Sequence, residues 1–219
     1  MAESLRDLFR SLPVFPEQLS RFDASAAPDD PVTLFVQWLR EAIDEKVPAP
    51  HSMTVSTTDA DGRPASRVLI CKDVDETGSW HFASSATSAK GRQLAANPNA
   101  ALTFYWPQVG RQIRIRGAAA PIGAAAGAAD FLARPVGSRA EALIGRQSEI
   151  LDDPADLDDA FEQAQARITA DPGLIAPAWT LYAVTAQEVE FWQADHDRRH
   201  TRLQYQRTGP AWSRRRLWP

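Results

Sequence analysis

The run from Glu190 to Arg202, Glu-Phe-Trp-Gln-Ala-Asp-His-Asp-Arg-Arg-His-Thr-Arg, concentrates side chains that could do chemistry. Arg198, His200 and Arg202 follow one another at i, i+2 and i+4, so an extended strand would project all three from one face. Two fixed cations and an imidazole suit an anionic, planar ligand and the handling of a proton beside it. The competing reading is an Arg-rich edge strand facing water. A metal pair of His196 and His200, flanked by Asp195 and Asp197, is opposed by the repulsion that Arg198, Arg199 and Arg202 would exert on a cation. No metal is expected.

Upstream, four groups of anion-binding or amide side chains recur: Arg67 with Lys72, Ser84 with Ser88 and Lys90, Gln112, and Gln147 with Ser148. Arg67 and Lys72 stand five apart, so a regular strand would place them on opposite faces unless a bulge or two separate ligand contacts reconciled them. Each group alone is a weak signal, and Arg67 and Lys72 each read alone as a surface charge.

The elements that must position these groups are mostly strands. Residues 1–30 carry Pro13, Pro16 and Pro28, which predicts an irregular arm after a short helix near Leu5 to Leu12. Leu34, Phe35, Trp38, Leu39 and Ile43 recur at helical spacing, with Pro31 in the first turn and Pro48 and Pro50 past the end. Met53 to Thr58 and Ala65 to Lys72, joined at Asp61-Gly62, predict a hairpin. Trp80 to Ser84 predicts a third strand, and Ser88 caps a short helix running to Asn97-Pro98. Ala101 to Trp106 and Gln112 to Gly117 predict a second strand pair, and five strands with short connections point to an antiparallel barrel. The Ala-rich tract from Ala118 to Ala129 reads as the start of a small-residue helix, and helical patterns continue at 140–144 and after Pro154. Strands are expected again at 182–185, 189–192, 199–207 and 211–217.

At 219 residues the chain can bury a sizeable core as one domain. A net charge of −4 offers no global attraction for nucleic acid, and the basic runs at Arg198-Arg199 and Arg214 to Arg216 are local. The single cysteine, Cys71, excludes an internal disulfide framework; in an apolar strand run it reads as a small core residue. Glu3, Arg6 and Asp7 interrupt any signal-peptide core, and no apolar run reaches membrane-spanning length, so the expectation is a cytoplasmic protein with no membrane partner.

From about Asp30 to Pro219 the order of motifs resembles the pyridoxamine 5′-phosphate oxidase family. The matching pieces are Met53-Thr54 leading to Asp61-Gly62-Arg63-Pro64, Arg67 to Lys72, Lys90-Gly91-Arg92, Phe104-Tyr105-Trp106-Pro107 and Arg111-Gln112. They continue through Arg134-Pro135 with Gly137-Ser138, Gln147-Ser148, Glu190 to Gln193, Arg198-x-His200-x-Arg202 and the closing Arg216-Leu217-Trp218-Pro219. The resemblance implies a mostly β protein with peripheral helices, an FMN-binding split antiparallel β-barrel that forms a homodimer. Residues 30–219 would be the oxidase domain with its C-terminal dimerisation region, and residues 1–29 an N-terminal arm.

For FMN the resemblance implies Arg67, Lys72, Ser84, Lys90, Gln112, Gln147, Ser148, Trp192 and Arg202; for the substrate phosphate, Lys72, Arg134 and Ser138; for the reacting end of the substrate, Arg198 and His200. The implied reaction converts pyridoxine or pyridoxamine 5′-phosphate to pyridoxal 5′-phosphate with O2 as electron acceptor. Three departures stand out, two of them bearing on the substrate and one, Ala89, on a contact to the FMN phosphate. Asp130 replaces a tyrosine used for the substrate phosphate and would repel a phosphate unless it points away; Ala89 replaces an arginine; and residues 1–29 lack the family's basic, Tyr-containing segment. Asp130 and the N-terminal arm favour, as the alternative, an oxidase on the same scaffold acting on another reduced aromatic ring, as the related phenazine-pathway oxidases do. A non-catalytic flavin-binding barrel is the remaining alternative.

Overall fold

A computed structural model describes residues 4–219. In chain order the elements are α1 (Leu5–Ser11), α2 (Pro31–Asp44), β1 (Ser52–Thr58), β2 (Pro64–Ile70), β3 (Asp73–Val74), β4 (Ser79–Ser85), α3 (Ala89–Ala96) and β5 (Asn99–Trp106). Then follow β6 (Arg111–Pro121), α4 (Ala124–Leu132), α5 (Val136–Ile144), α6 (Pro154–Ala170), β7 (Trp179–Gln193), β8 (Thr201–Thr208) and β9 (Ala211–Leu217). The strands follow the order β2-β1-β5-β6-β7-β4-β3, with β8 on β7 and β9 on β8. Contacts divide the chain into two units: Met1–Pro50, Thr103–Arg114 and Glu188–Pro219 form the first, His51–Leu102 and Ile115–Gln187 the second. Among the described residues no helix is long and apolar enough to cross a membrane.

In the first unit, α2 starts where Asp30 accepts hydrogen bonds from Val32 N (3.3 Å) and Thr33 N (2.8 Å), with Pro31 filling a position whose N–H has no helical partner. Its apolar stripe buries Leu34, Phe35 and Trp38, each burial worth about 1.5–3 kcal/mol. Phe35 meets Phe104 edge-on at 5.0 Å, Trp38 meets Phe191 at 5.1 Å, and Phe191 meets Tyr205 at 5.7 Å. This aromatic stack seats the ends of β7 and β8, the strands that border the Arg-His run.

In the second unit, β1 alternates as expected, burying Met53, Val55 and Thr57, and pairs with β2 so that Val55 faces Arg67. Gly62, at φ +79°, sits in the hairpin loop where Gly62 N donates to Asp59 O (3.0 Å). In α3, Ser88 Oγ accepts from Gly91 N at 3.2 Å. Gly91 is required by space: a Cβ there would come within 2.3 Å of Ala86 O. The same closeness explains the small residues of α4, since a Cβ on Gly127 would meet Trp179 O at 2.9 Å.

Four expectations are corrected. The strands expected at 182–185 and 189–192 are one strand, β7. The Ala-rich tract is divided: its first residues finish β6, and helix begins only at Ala124. Lys72 and Cys71 lie beyond the end of β2, so no bulge relates Lys72 to Arg67, and Cys71 is half-buried after the strand, not within it. Finally, β8 starts at Thr201, and Arg198 adopts φ +64°, so Arg198, His200 and Arg202 do not share a strand face.

Candidate active site

The second unit holds a group of cations without counterions. Lys90, buried in the first turn of α3, donates through Nζ to Gln147 Oε1 (2.9 Å), Ser84 Oγ (3.0 Å) and Ser88 Oγ (3.2 Å). Arg67 reaches from β2 to the diagonal position on β1, NH1 donating to Thr57 Oγ1 (2.7 Å) and Val55 O (3.1 Å), while NH2 lies 3.5 Å from Gln93 Oε1. Among the described residues neither cation has a carboxylate within 4.0 Å; hydroxyl and amide oxygens hold both. Burial, and after it the charge of Arg67, push the Lys90 ammonium below its ordinary pKa, and burial does the same to Arg67. Ser148, at φ +77°, accepts from Ala89 N at 3.3 Å, which brings the Gln147-Ser148 turn against the start of α3.

Beside these groups lies a cavity of about 450 Å³ lined by Lys72, Ser84, Asp130, Arg134, Ser138 and Trp179, among others. Lys72 Nζ is 3.2 Å from Asp130 Oδ1, and Asp130 Oδ2 accepts from Trp179 Nε1 at 2.8 Å. Arg134 stacks on the same indole at 3.9 Å and lies 3.5 Å from Glu141 Oε2. Asp130 therefore points at Lys72. The close approach of α4 to the start of β7, which Gly127 permits, sets it there.

In the first unit, Asp195 begins a tight turn: Arg198 N donates to Asp195 O (3.1 Å) and Asp197 N to Asp195 Oδ1 (2.8 Å). His200 closes the turn by accepting from Asp195 N at Nδ1 (3.0 Å), which assigns the proton of the neutral ring to Nε2. Trp192 lies 4.8 Å from the His200 ring, and Phe15 from the arm packs on His200 (5.8 Å) and under the Arg198 guanidinium (5.8 Å). Arg202 is held by the buried Glu190, with Nε 2.8 Å from Oε1, and by Trp218 O at 3.0 Å. Its pKa is raised by the hydrogen bond to Glu190. Gln112 is half-buried on β6. His196 is turned to Glu17 O, and among the described residues no three His, Cys, Asp or Glu side chains could hold a metal ion.

Ser84, Lys90 and Gln147 are thus brought together in one unit, as are Lys72, Arg134 and Ser138, while Trp192, Arg198 and His200 gather in the other. Sequence reasoning missed Thr57 and Gln93 behind Arg67, Glu141 and Trp179 beside Arg134, Glu190 behind Arg202, and Phe15 on His200. Hairpin register could have found Thr57; nothing local signals the others.

Residues 39–167 match the family model described as pyridoxamine 5′-phosphate oxidase, and residues 179–219 match that described as the pyridoxine 5′-phosphate oxidase C-terminal dimerisation region. A pyridoxine/pyridoxamine 5′-phosphate oxidase of Ectopseudomonas mendocina is 43% identical over 195 residues, 88% of this chain and 90% of that protein. One of Pseudomonas fluorescens is 37% identical over 221 residues and matches along the whole of both chains. Among solved structures, PhzG from Burkholderia lata 383, in complex with tetrahydrophenazine-1-carboxylic acid, aligns with a TM-score of 0.83 at 30% identity, covering 92% of this chain and 99% of that one. A pyridoxamine 5′-phosphate oxidase-related, FMN-binding protein from Nostoc punctiforme shares the fold, with a TM-score of 0.71 at 20% identity over 88% of this chain and 100% of that one.

Proposed function

Because this chain belongs to the pyridoxamine 5′-phosphate oxidase family and has its split-barrel fold, we propose that it is an FMN-dependent oxidase that passes electrons from an aromatic-ring substrate to O2. On the relatives' names the first reading of the substrate is pyridoxine or pyridoxamine 5′-phosphate. The observation that carries the proposal is the carboxylate-free pair Arg67 and Lys90: cations left without counterions fit the phosphate of FMN, and the hydroxyl and amide groups of Ser84, Gln147 and Ser148 fit its remaining polar atoms. Bound FMN would supply two-electron chemistry, taking a hydride from the substrate and reducing O2 to hydrogen peroxide. Pyridoxine 5′-phosphate loses two electrons and two protons as its alcohol becomes the aldehyde, and the amine, losing the same two electrons and two protons and taking up one water, gives the same aldehyde and ammonia.

This chain's residues supply binding and proton handling. Trp192 and Gln112, with Arg202 held by Glu190, are assigned to the cofactor. Arg198 orients the substrate, and His200, with its ring proton at Nε2, donates a hydrogen bond near the reacting carbon. Lys72, Arg134 and Ser138 are assigned to the far end of the substrate. Residues 30–219 act as the oxidase domain with residues 1–29 as its arm, and the match of 179–219 to a dimerisation region supports a homodimer.

One observation favours a second reading, a reduced aromatic carboxylic acid of the kind bound by PhzG: the carboxylate of Asp130 occupies Lys72. The test is to purify the protein, record its visible spectrum for bound flavin, and follow peroxide with both classes of substrate. Arg198→Ala and His200→Ala should each lower turnover by roughly a hundredfold or more while the Kd for FMN moves less than about threefold. Unaltered turnover in both variants would return the Arg-His run to a surface role.

A further inference from the structure

The cavity that holds Lys72 and Arg134 also holds their two carboxylate partners, Asp130 and Glu141. Lys72 Nζ is 3.2 Å from Asp130, and Arg134 NH2 is 3.5 Å from Glu141. Two cations and two carboxylates cancel. The Lys72 partner is also locked in place: one Asp130 oxygen faces Lys72, the other accepts from the Trp179 indole at 2.8 Å, and that same ring is stacked against Arg134 at 3.9 Å. Asp130 cannot swing aside without giving up the indole bond in a part-buried site. A phosphate ester, doubly negative at neutral pH, must then compete with a fixed carboxylate for Lys72 and sit beside it. A carboxylate, or an uncharged polar group, meets less repulsion and still finds Arg134 and the Ser138 hydroxyl.

Resting on the oxidase reading of this same site, we propose that Asp130 is a specificity-determining residue. It neutralises Lys72 and biases the cavity away from phosphate dianions, towards substrates whose far end carries one negative charge or none. The Asp130-Trp179-Arg134 arrangement is a device of repulsion, set against one class of ligand.

The matched pair pyridoxine and pyridoxine 5′-phosphate, identical at the reacting end, isolates the effect. In the wild-type holoenzyme the kcat/KM advantage of the phosphate ester over pyridoxine should stay below about tenfold. Asp130→Asn keeps the shape and an acceptor for the indole but removes the charge. It should raise that advantage by roughly tenfold to a hundredfold, carried by KM, and tighten the binding of inorganic phosphate to the protein by a similar factor. A wild-type enzyme with a strong preference for the ester, together with an Asp130→Asn variant showing the same ratio and the same phosphate affinity, overturns the proposal. Should Asp130→Asn not fold, Asp130→Tyr serves, with the same outcomes. Absence of bound flavin and of peroxide with every substrate would instead defeat the oxidase reading, and the phosphate titration of wild type against variant would still decide the role of Asp130.

Discussion

Arg67→Ala tests whether the cation pair of the second unit exists for a ligand or for the fold. Of the five N–H groups of Arg67, two on NH1 are taken by Val55 O and Thr57 Oγ1, and one on NH2 lies at the 3.5 Å limit from Gln93. At least Nε–H and one further N–H remain to meet a phosphate. Charge-assisted contacts are worth about 1.5–3 kcal/mol, and two from one guanidinium are not additive, so about 2–3 kcal/mol is the expected loss, a rise of roughly 30- to 140-fold in the Kd for FMN. The fold should barely notice. Arg67 is half-buried, and its charge disfavours the ammonium of Lys90, so the lost hydrogen bonds are offset by relieved repulsion. The melting temperature of the apoprotein should move by less than about 3 °C. Titration calorimetry of apoprotein with FMN, beside calorimetric melting, reads both quantities, and Arg67→Lys should fall between wild type and Ala because it keeps a charge without the fork. A Kd altered less than about threefold, with a large fall in melting temperature, would refute the reasoning and make Arg67 a structural strut.

Two further expectations concern the same helix start. Because burial and Arg67 depress the Lys90 pKa, the unfolded chain keeps its proton to higher pH than the folded one; Lys90 therefore contributes stability that rises with pH in the alkaline range below the ordinary value of 10.5, against the fall contributed by Cys71, whose thiol burial pushes up to about 12, and Lys90→Met should make apoprotein stability fall more steeply with pH in urea titrations. Gly91→Ala should destabilise by about 1–3 kcal/mol, read as a lower urea midpoint, since the added Cβ would fall 2.3 Å from Ala86 O and 2.6 Å from Ser85 O; an unchanged midpoint would mean the backbone there yields freely.

The sequence by itself determined whatever is governed by neighbours a few residues apart. Apolar spacing and Pro31 set α2, alternation and Gly62 set the β1-β2 hairpin and its register, and Ser88 marked the start of α3 because a cap acts on amides within the next turn. The motif order carried the family, since those short pieces keep their spacing along the chain. Tertiary structure alone decided where the charges end. Lys72 and Asp130, or Arg202 and Glu190, become partners only when separate elements are laid side by side, and Coulomb energy depends on that distance, not on separation along the chain. It also decided the backbone at Arg198. Alternation argued for a strand, but the Asp195 turn, closed by His200, satisfies local donors and acceptors better than a ladder would and holds Arg198 at positive φ. The residues with the most chemistry were legible by type. Their pairing, which sets what they can bind, was written in contacts that no local pattern encodes.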